Sequence, residues 1–238
     1  MHIARFPLPL AALALTACAP APGPAVSAVA SPQEVFWQAL SSHCGKAYAG
    51  GLASTDARDA DWADKRMVAH WAECDETRVA IALHVEEASP SSSSQAVGRT
   101  ETASGSEAVG QEPSWNRSRT WIVTREGTGA DTRFTLKHDH RHADGEADAV
   151  TFYGGTSADA GSASAQDFPV DAESVTLFTR EGLSASLTNV WRIEVTPRGS
   201  ADAHFAYQLT RRNDPTRLFR VEIDAGALVE TPPAAWGW

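Results

Sequence analysis

His138, His140 and His142 stand two residues apart within FTLKHDHRHADGEAD, residues 134–148. On an extended strand successive side chains alternate sides, so the three imidazoles share one face with Phe134 and Leu136, while Lys137, Asp139 and Arg141 share the other. Imidazole is the commonest metal-ligating side chain and the one whose unperturbed charge changes near neutral pH. Imidazoles on alternate residues of a strand can reach one divalent metal ion. They can equally form a hydrogen-bonded polar cluster with Asp139, Asp144 or Asp148. If their face is an interior one, they line the inner end of a barrel near its mouth, above an apolar floor of Phe134 and Leu136. Asp144-Gly145, a favoured tight-turn pair, then reverses the chain.

His140, His142 and Glu146 form an HxH-x3-E pattern that resembles the first metal motif of the cupins, which hold one metal ion in a β-barrel and complete the site with a histidine from a second motif. That resemblance implies a divalent metal cofactor, His204 as the third histidine, and a metal-binding barrel or metalloenzyme. Phe134 stands where the first motif has glycine, the stretch from Gly199 to His204 exceeds the family's spacing, and Gln208 replaces the usual asparagine. His140, His142 and Asp144 also resemble part of the metallo-β-lactamase signature, although Gly145 follows where that family has histidine. Other catalytic patterns are missing from the sequence: no GxSxG elbow, no glycine-rich phosphate loop, no HExxH. Ser184 in GLSAS reads as a turn residue. Trp121, Trp191, Phe152, Phe178 and Phe219 fall in apolar segments and are assigned to the core, with a barrel interior able to use them as ligand walls too.

Three cysteines divide into one and two. Arg5 precedes an uncharged apolar run, Phe6–Ala17, too short to span a bilayer as a helix, so it reads as an export signal. Leu15-Thr16-Ala17-Cys18 resembles the lipobox of bacterial lipoproteins. The resemblance implies cleavage of residues 1–17, lipidation of Cys18 with palmitate-type acyl chains, and, because Ala19 rather than aspartate follows, sorting to the outer membrane facing the periplasm. Acyl chains contribute about 0.8 kcal/mol per buried methylene, so several make a lasting anchor. Residues 18–32, rich in Ala and Pro, read as a tether. In an oxidising compartment Cys44 and Cys74 are expected to pair, closing a loop of about 30 residues and stabilising the fold by about 3 kcal/mol on the chain-entropy estimate.

The chain of 238 residues carries a net charge of −10 without a basic patch, which argues against nucleic acid as a partner. Ser31-Pro32-Gln33-Glu34 is a capping box with Pro at the first helical position, and Phe36, Leu40 and Cys44 continue an apolar stripe, predicting one N-terminal helix. Thereafter the apolar period falls to two. Strands are expected at 67–73, 78–85, 119–125, 133–142, 147–153, 174–179, 190–195, 205–210 and 218–223. Residues 88–114 are small and polar, predicting a disordered insertion, and 154–166 an exposed connection. Mainly antiparallel β-structure with short spacings predicts an up-and-down barrel, lipocalin-like or calycin-like, with a two-sheet sandwich as the alternative. Its expected bounds are 33–225, leaving 226–238 as a C-terminal tail.

FWQAL, HCGKAYAG, SRTWIVTR, LKHDHRHADG, VTFYGG and RLFRVEID together resemble phrases of a family of secreted bacterial proteins, a resemblance that implies no activity. The expectation is a membrane-tethered barrel that binds a small hydrophobic ligand or serves in the envelope, with the metal-binding barrel as the alternative.

Overall fold

The computed structural model describes residues 29–87 and 113–238. The signal segment, Cys18, most of the tether and residues 88–112 of the insertion lie outside the described residues. Ten strands form one antiparallel sheet: β1 Ala47–Leu52, β2 Met67–Cys74, β3 Arg78–Glu87, β4 Ser114–Glu126, β5 Arg133–His140, β6 Tyr153–Thr156, β7 Ala165–Pro169, β8 Asn189–Val195, β9 His204–Arg211 and β10 Asp214–Leu228. Their order, β6-β5-β4-β3-β2-β1-β10-β9-β8-β7, is an up-and-down meander in which β10 returns to β1. The sheet curls until its outer strands nearly meet, joined by a Gly155–Val170 bridge and an Asp171 amide bond to the Gly154 carbonyl. A nearly closed barrel is thus the architecture, in preference to a sandwich.

Closure at that seam requires glycine. A Cβ on Gly155 would stand 2.2 Å from the Pro169 carbonyl oxygen, a distance no side chain tolerates. Inward faces alternate as the period of two demands: Trp121 and Val123 on β4, Phe134, Leu136 and His138 on β5, Trp191, Ile193 and Val195 on β8, Phe205 and Tyr207 on β9 are all buried.

Helix α1, Pro32–Ser41, closes one end. Ser31 caps it by accepting the Glu34 amide, and Phe36 and Trp37 pack against Phe134 at the start of β5, with ring centroids 5.2 and 6.0 Å apart. Each such side chain, fully buried, contributes roughly 1.5–3 kcal/mol. The Cys44–Cys74 disulfide, Cα atoms 6.0 Å apart, ties the end of this helix segment to β2.

Several expected elements are corrected. Residues 174–179 are not a strand but part of a second helix, α2 Ala172–Arg180, capped by Asp171 accepting the Ser174 amide and carrying Glu173 in its first turn and Arg180 in its last. Of the expected strand 147–153 only Tyr153 joins the sheet, as the start of β6, with Ala147 bridged to Arg141; between them the Asp148 amide bonds the His140 carbonyl and the Phe152 amide bonds the His138 carbonyl. Five residues, Asp148–Phe152, therefore face three on β5, and the two extra residues form a bulge at the cavity end, with Phe152 at φ 54°. Within the expected exposed connection 154–166, the first residues belong to β6 and the last to β7. β1 was not anticipated. β10 runs to Leu228, and the chain after it crosses from β1, where the Val229 amide bonds the Ala47 carbonyl, to β4, where the Trp236 amide bonds the Arg117 carbonyl. It ends at β5, where the Trp238 indole donates to Asp139.

Candidate functional site

The end opposite α1 holds a partly open cavity of about 340 Å³. Its walls come from the inward faces of seven strands: Leu83, Arg119 and Trp121, His138 and His140, Tyr153, Asn189 and Trp191, Tyr207, Leu209 and Arg211, Arg217 and Phe219. Three connections ring the mouth: the 3-10 turn Ala57–Trp62 with Asp59 and Trp62, the bulged segment with Asp148 and Val150, and α2 with its following 3-10 turn, giving Phe178, Leu183 and Ser186. β-Register sets the layers, Trp121 lying opposite His138 and Arg119 opposite His140.

Aromatic rings interlock around the space. Tyr207 stacks on Trp121 with centroids 4.4 Å apart, and Tyr153 stacks on His138 at 4.7 Å. His138 Nδ1 is 3.0 Å from the Tyr153 carbonyl oxygen. A carbonyl only accepts, so the proton sits on Nδ1, and the bare Nε2 accepts the Tyr207 hydroxyl at 2.7 Å. Tyr153 Oη and His140 Nε2 lie 3.1 Å apart. Burial pushes His138 down to about 3. His140 falls to about 4, through burial first and then the facing Arg119. Burial likewise pushes Tyr153 up to about 12 and Tyr207 well above the usual phenol range. At neutral pH these four groups are uncharged hydrogen-bonding partners.

The wall charges are Arg119, Arg211 and Arg217 against Asp59 and Asp148. Arg217 is satisfied by Asp59, with Nη2 donating to Oδ1 at 2.8 Å, and by Asp56 at 3.0 Å. Arg211 donates through Nε to the Asn189 side chain at 3.0 Å. Among the described residues Arg119 donates only to Ser118 Oγ, at 2.9 Å, and lies over the Trp62 ring, 4.7 Å from its centroid. Neither Arg119 nor Arg211 is ion-paired among the described residues. Burial lowers the pKa of both.

The histidine face is placed as its alternation implied for His138 and His140, which point inward beside Phe134 and Leu136. The rest of the expected metal set is not brought together. β5 ends at His140, so His142 and Glu146 sit exposed on the following turn, linked by the His142 amide and the Glu146 carbonyl. β9 runs from the closed end toward the mouth, so His204, its first residue, is exposed at the opposite end, with Nδ1 3.1 Å from the Asp202 carbonyl. Among the described residues, no group of three or more His, Cys, Asp or Glu could hold a metal ion. Expected partners of the histidines are also redistributed: Asp139 faces outward, held by Arg141 and Trp238.

Arg119, Tyr153 and Tyr207 were not anticipated as site residues. Arg119 was recoverable from SRTWIVTR, where it shares the inward parity of Trp121 and Val123. Tyr207 needed the β9 pairing. No protein-family model, curated protein or solved structure matches this chain.

Proposed function

We propose that this protein binds a small organic molecule inside the barrel, as a lipoprotein held to the membrane by lipid on Cys18 and working in the periplasm. The cavity carries the reading. Its volume of about 340 Å³ lies at the lower end of the range for small-molecule sites, and it combines apolar walls with a few convergent polar groups, as such sites do. His138, His140, Tyr153 and Tyr207 are neutral, so an apolar body can lie against them without displacing tightly hydrated charges. The anchor rests on Leu15-Thr16-Ala17-Cys18. Among the described residues, no helix is long and apolar enough to cross a membrane.

Binding is tested with 1-aminoanthracene, an apolar fluorophore that brightens when it leaves water. The purified protein is expected to bind it with saturation, quenching the tryptophans Trp62, Trp121 and Trp191 that line the site. Leu209→Trp, which fills the cavity from β9, should abolish saturable binding while the melting temperature holds. A native protein that shows no saturable binding, or a filled variant that binds equally well, overturns the reading.

A further inference from the structure

We propose that the ligand is an organic anion, a planar apolar body bearing one carboxylate, with Arg119 as the group that receives the charge. The inference rests on the reading of the cavity as a binding site and specifies its ligand class. Arg119 projects inward from β4 at the level of His140, on the wall of the cavity. A guanidinium has five N–H donors. Within the described structure one bond goes to Ser118 Oγ, one face rests on Trp62, and no carboxylate lies within ion-pair distance.

Most other arginines among the described residues are ion-paired, although Arg117, Arg133, Arg198, Arg211 and Arg212 share the lack of an acidic partner. Arg58, Arg125, Arg141, Arg192, Arg217 and Arg220 each meet an acidic side chain within 3.3 Å. In a chain with 30 acidic residues, the acidic neighbour of Arg119 among the described residues is Asp148, on the same cavity wall but beyond ion-pair distance. A half-buried cation without a counter-ion costs stability, and a ligand anion would relieve that cost. Trp62 packs against the guanidinium, and a guanidinium with donors to spare is a planar group that can pair with a carboxylate through two bonds.

The other charges favour a single negative charge. Arg217 is neutralised by Asp59 and Asp56, and Asp148 on the wall offsets the charge of Arg211, whose Nε donates to the neutral Asn189 side chain, so the balance of the wall charges leaves one positive charge for the ligand. The neutral His138, His140, Tyr153 and Tyr207 add no positive charge. A planar body fits walls whose rings already lie face to face in parallel pairs, Trp121 with Tyr207 and His138 with Tyr153.

The probes are 2-naphthoate and its neutral amide, 2-naphthamide, titrated against the purified protein by tryptophan quenching and calorimetry. Native protein is expected to bind the acid about ten- to a hundredfold more tightly than the amide, the range of one charge-assisted bond pair. Arg119→Gln should erase that preference while leaving amide affinity within about twofold, and Arg119→Lys should keep part of it. Melting curves confirm that each variant is folded. Equal binding of acid and amide to native protein, or an Arg119→Gln variant that keeps the preference, overturns the anion assignment and leaves the binding cavity standing. If neither naphthyl probe nor 1-aminoanthracene binds, the cavity reading itself fails.

Discussion

His138 is committed to two neutral hydrogen bonds, and its position makes the barrel's stability depend on pH. Above about pH 6.5 the imidazole is neutral whether the chain is folded or unfolded. Below it, the unfolded chain takes a proton that the folded site, with its pKa pushed down to about 3, refuses. Stability contributed by the neutral site is therefore complete above pH 6.5 and is lost as pH falls toward 3, at up to about 1.4 kcal/mol per pH unit for each such group. His140 and His84 act in the same direction, both lowered to about 4 by burial foremost. Urea midpoints at pH 7.5, 6 and 5 should fall steadily, and His138→Gln or, outside the cavity, His84→Gln should each flatten the slope by about one proton; equal slopes in native and variant proteins would exclude the assignment. Arg119 gives a prediction of opposite sign. Arg119→Met removes an unpaired charge yet keeps a stem to lie on Trp62, and should raise stability by about 1 kcal/mol in the absence of ligand, read from the urea midpoint. A residue that weakens the empty fold and strengthens the occupied one is what a binding site leaves behind.

At the scale of elements, legibility followed the side chains that bear pattern. Alternation marked β5 and β8, because apolar residues on one face and polar ones on the other are set by the same burial the fold achieves, while β2 and β3 stood out as short apolar runs buried on both faces. β1, AYAGGL, and β6, YGGT, carry almost no alternation: their glycines serve close backbone approach, to Glu222 at Gly50 and to the seam at Gly155, and backbone fit leaves no hydrophobic signature. α2 was misread because AESVTLFTR buries only Ser174 and Phe178, a stripe too thin to tell a period of 3.6 from one of two; its capping aspartate was the better signal. The candidate site was half legible for the same reason. Parity showed which way His138 and His140 point, but which strands face them across the barrel depends on closure, which no local pattern encodes. Two elements outside the strands invite measurement. Replacing Cys44 and Cys74 with alanine should cost about 3.5 kcal/mol, the loop-closure value for 30 residues, seen as a lowered urea midpoint that matches the reduced native protein. The terminal Trp238 donates to buried Asp139 and carries the Arg78 guanidinium over its ring at 5.0 Å, so Trp238→Ala should cost about 1–2 kcal/mol. A midpoint unchanged by Trp238→Ala would mean that the strap merely rests on the sheet.

The whole molecule has two unlike ends. One is shut by α1, whose first residues bond back to the β4–β5 connection: Ser31 Oγ donates to the Gly129 carbonyl and Gln33 to the Ala130 carbonyl. The other end holds the cavity mouth, ringed by Trp62, the bulged segment and α2. The chain from Cys18 therefore enters the folded part at the closed end, and the proposed lipid anchor and the proposed binding site belong to opposite poles. About a dozen residues, at no more than about 3.6 Å each, reach some 40 Å at most, so the proposed anchor would hold the barrel within that distance of the membrane. Separation of the poles makes the two functions separable by mutation. Cys18→Ala should lose incorporation of labelled palmitate and leave the membrane fraction after salt washing, since no thioether can form. The same variant, once purified, should bind 1-aminoanthracene and 2-naphthoate with native affinity, because every residue of the site is set by strands that begin beyond the tether. A Cys18→Ala protein that is still acylated would overturn the anchor; one that loses ligand binding along with its lipid would mean that the two poles are coupled, against the geometry of a barrel closed at the end where the tether enters.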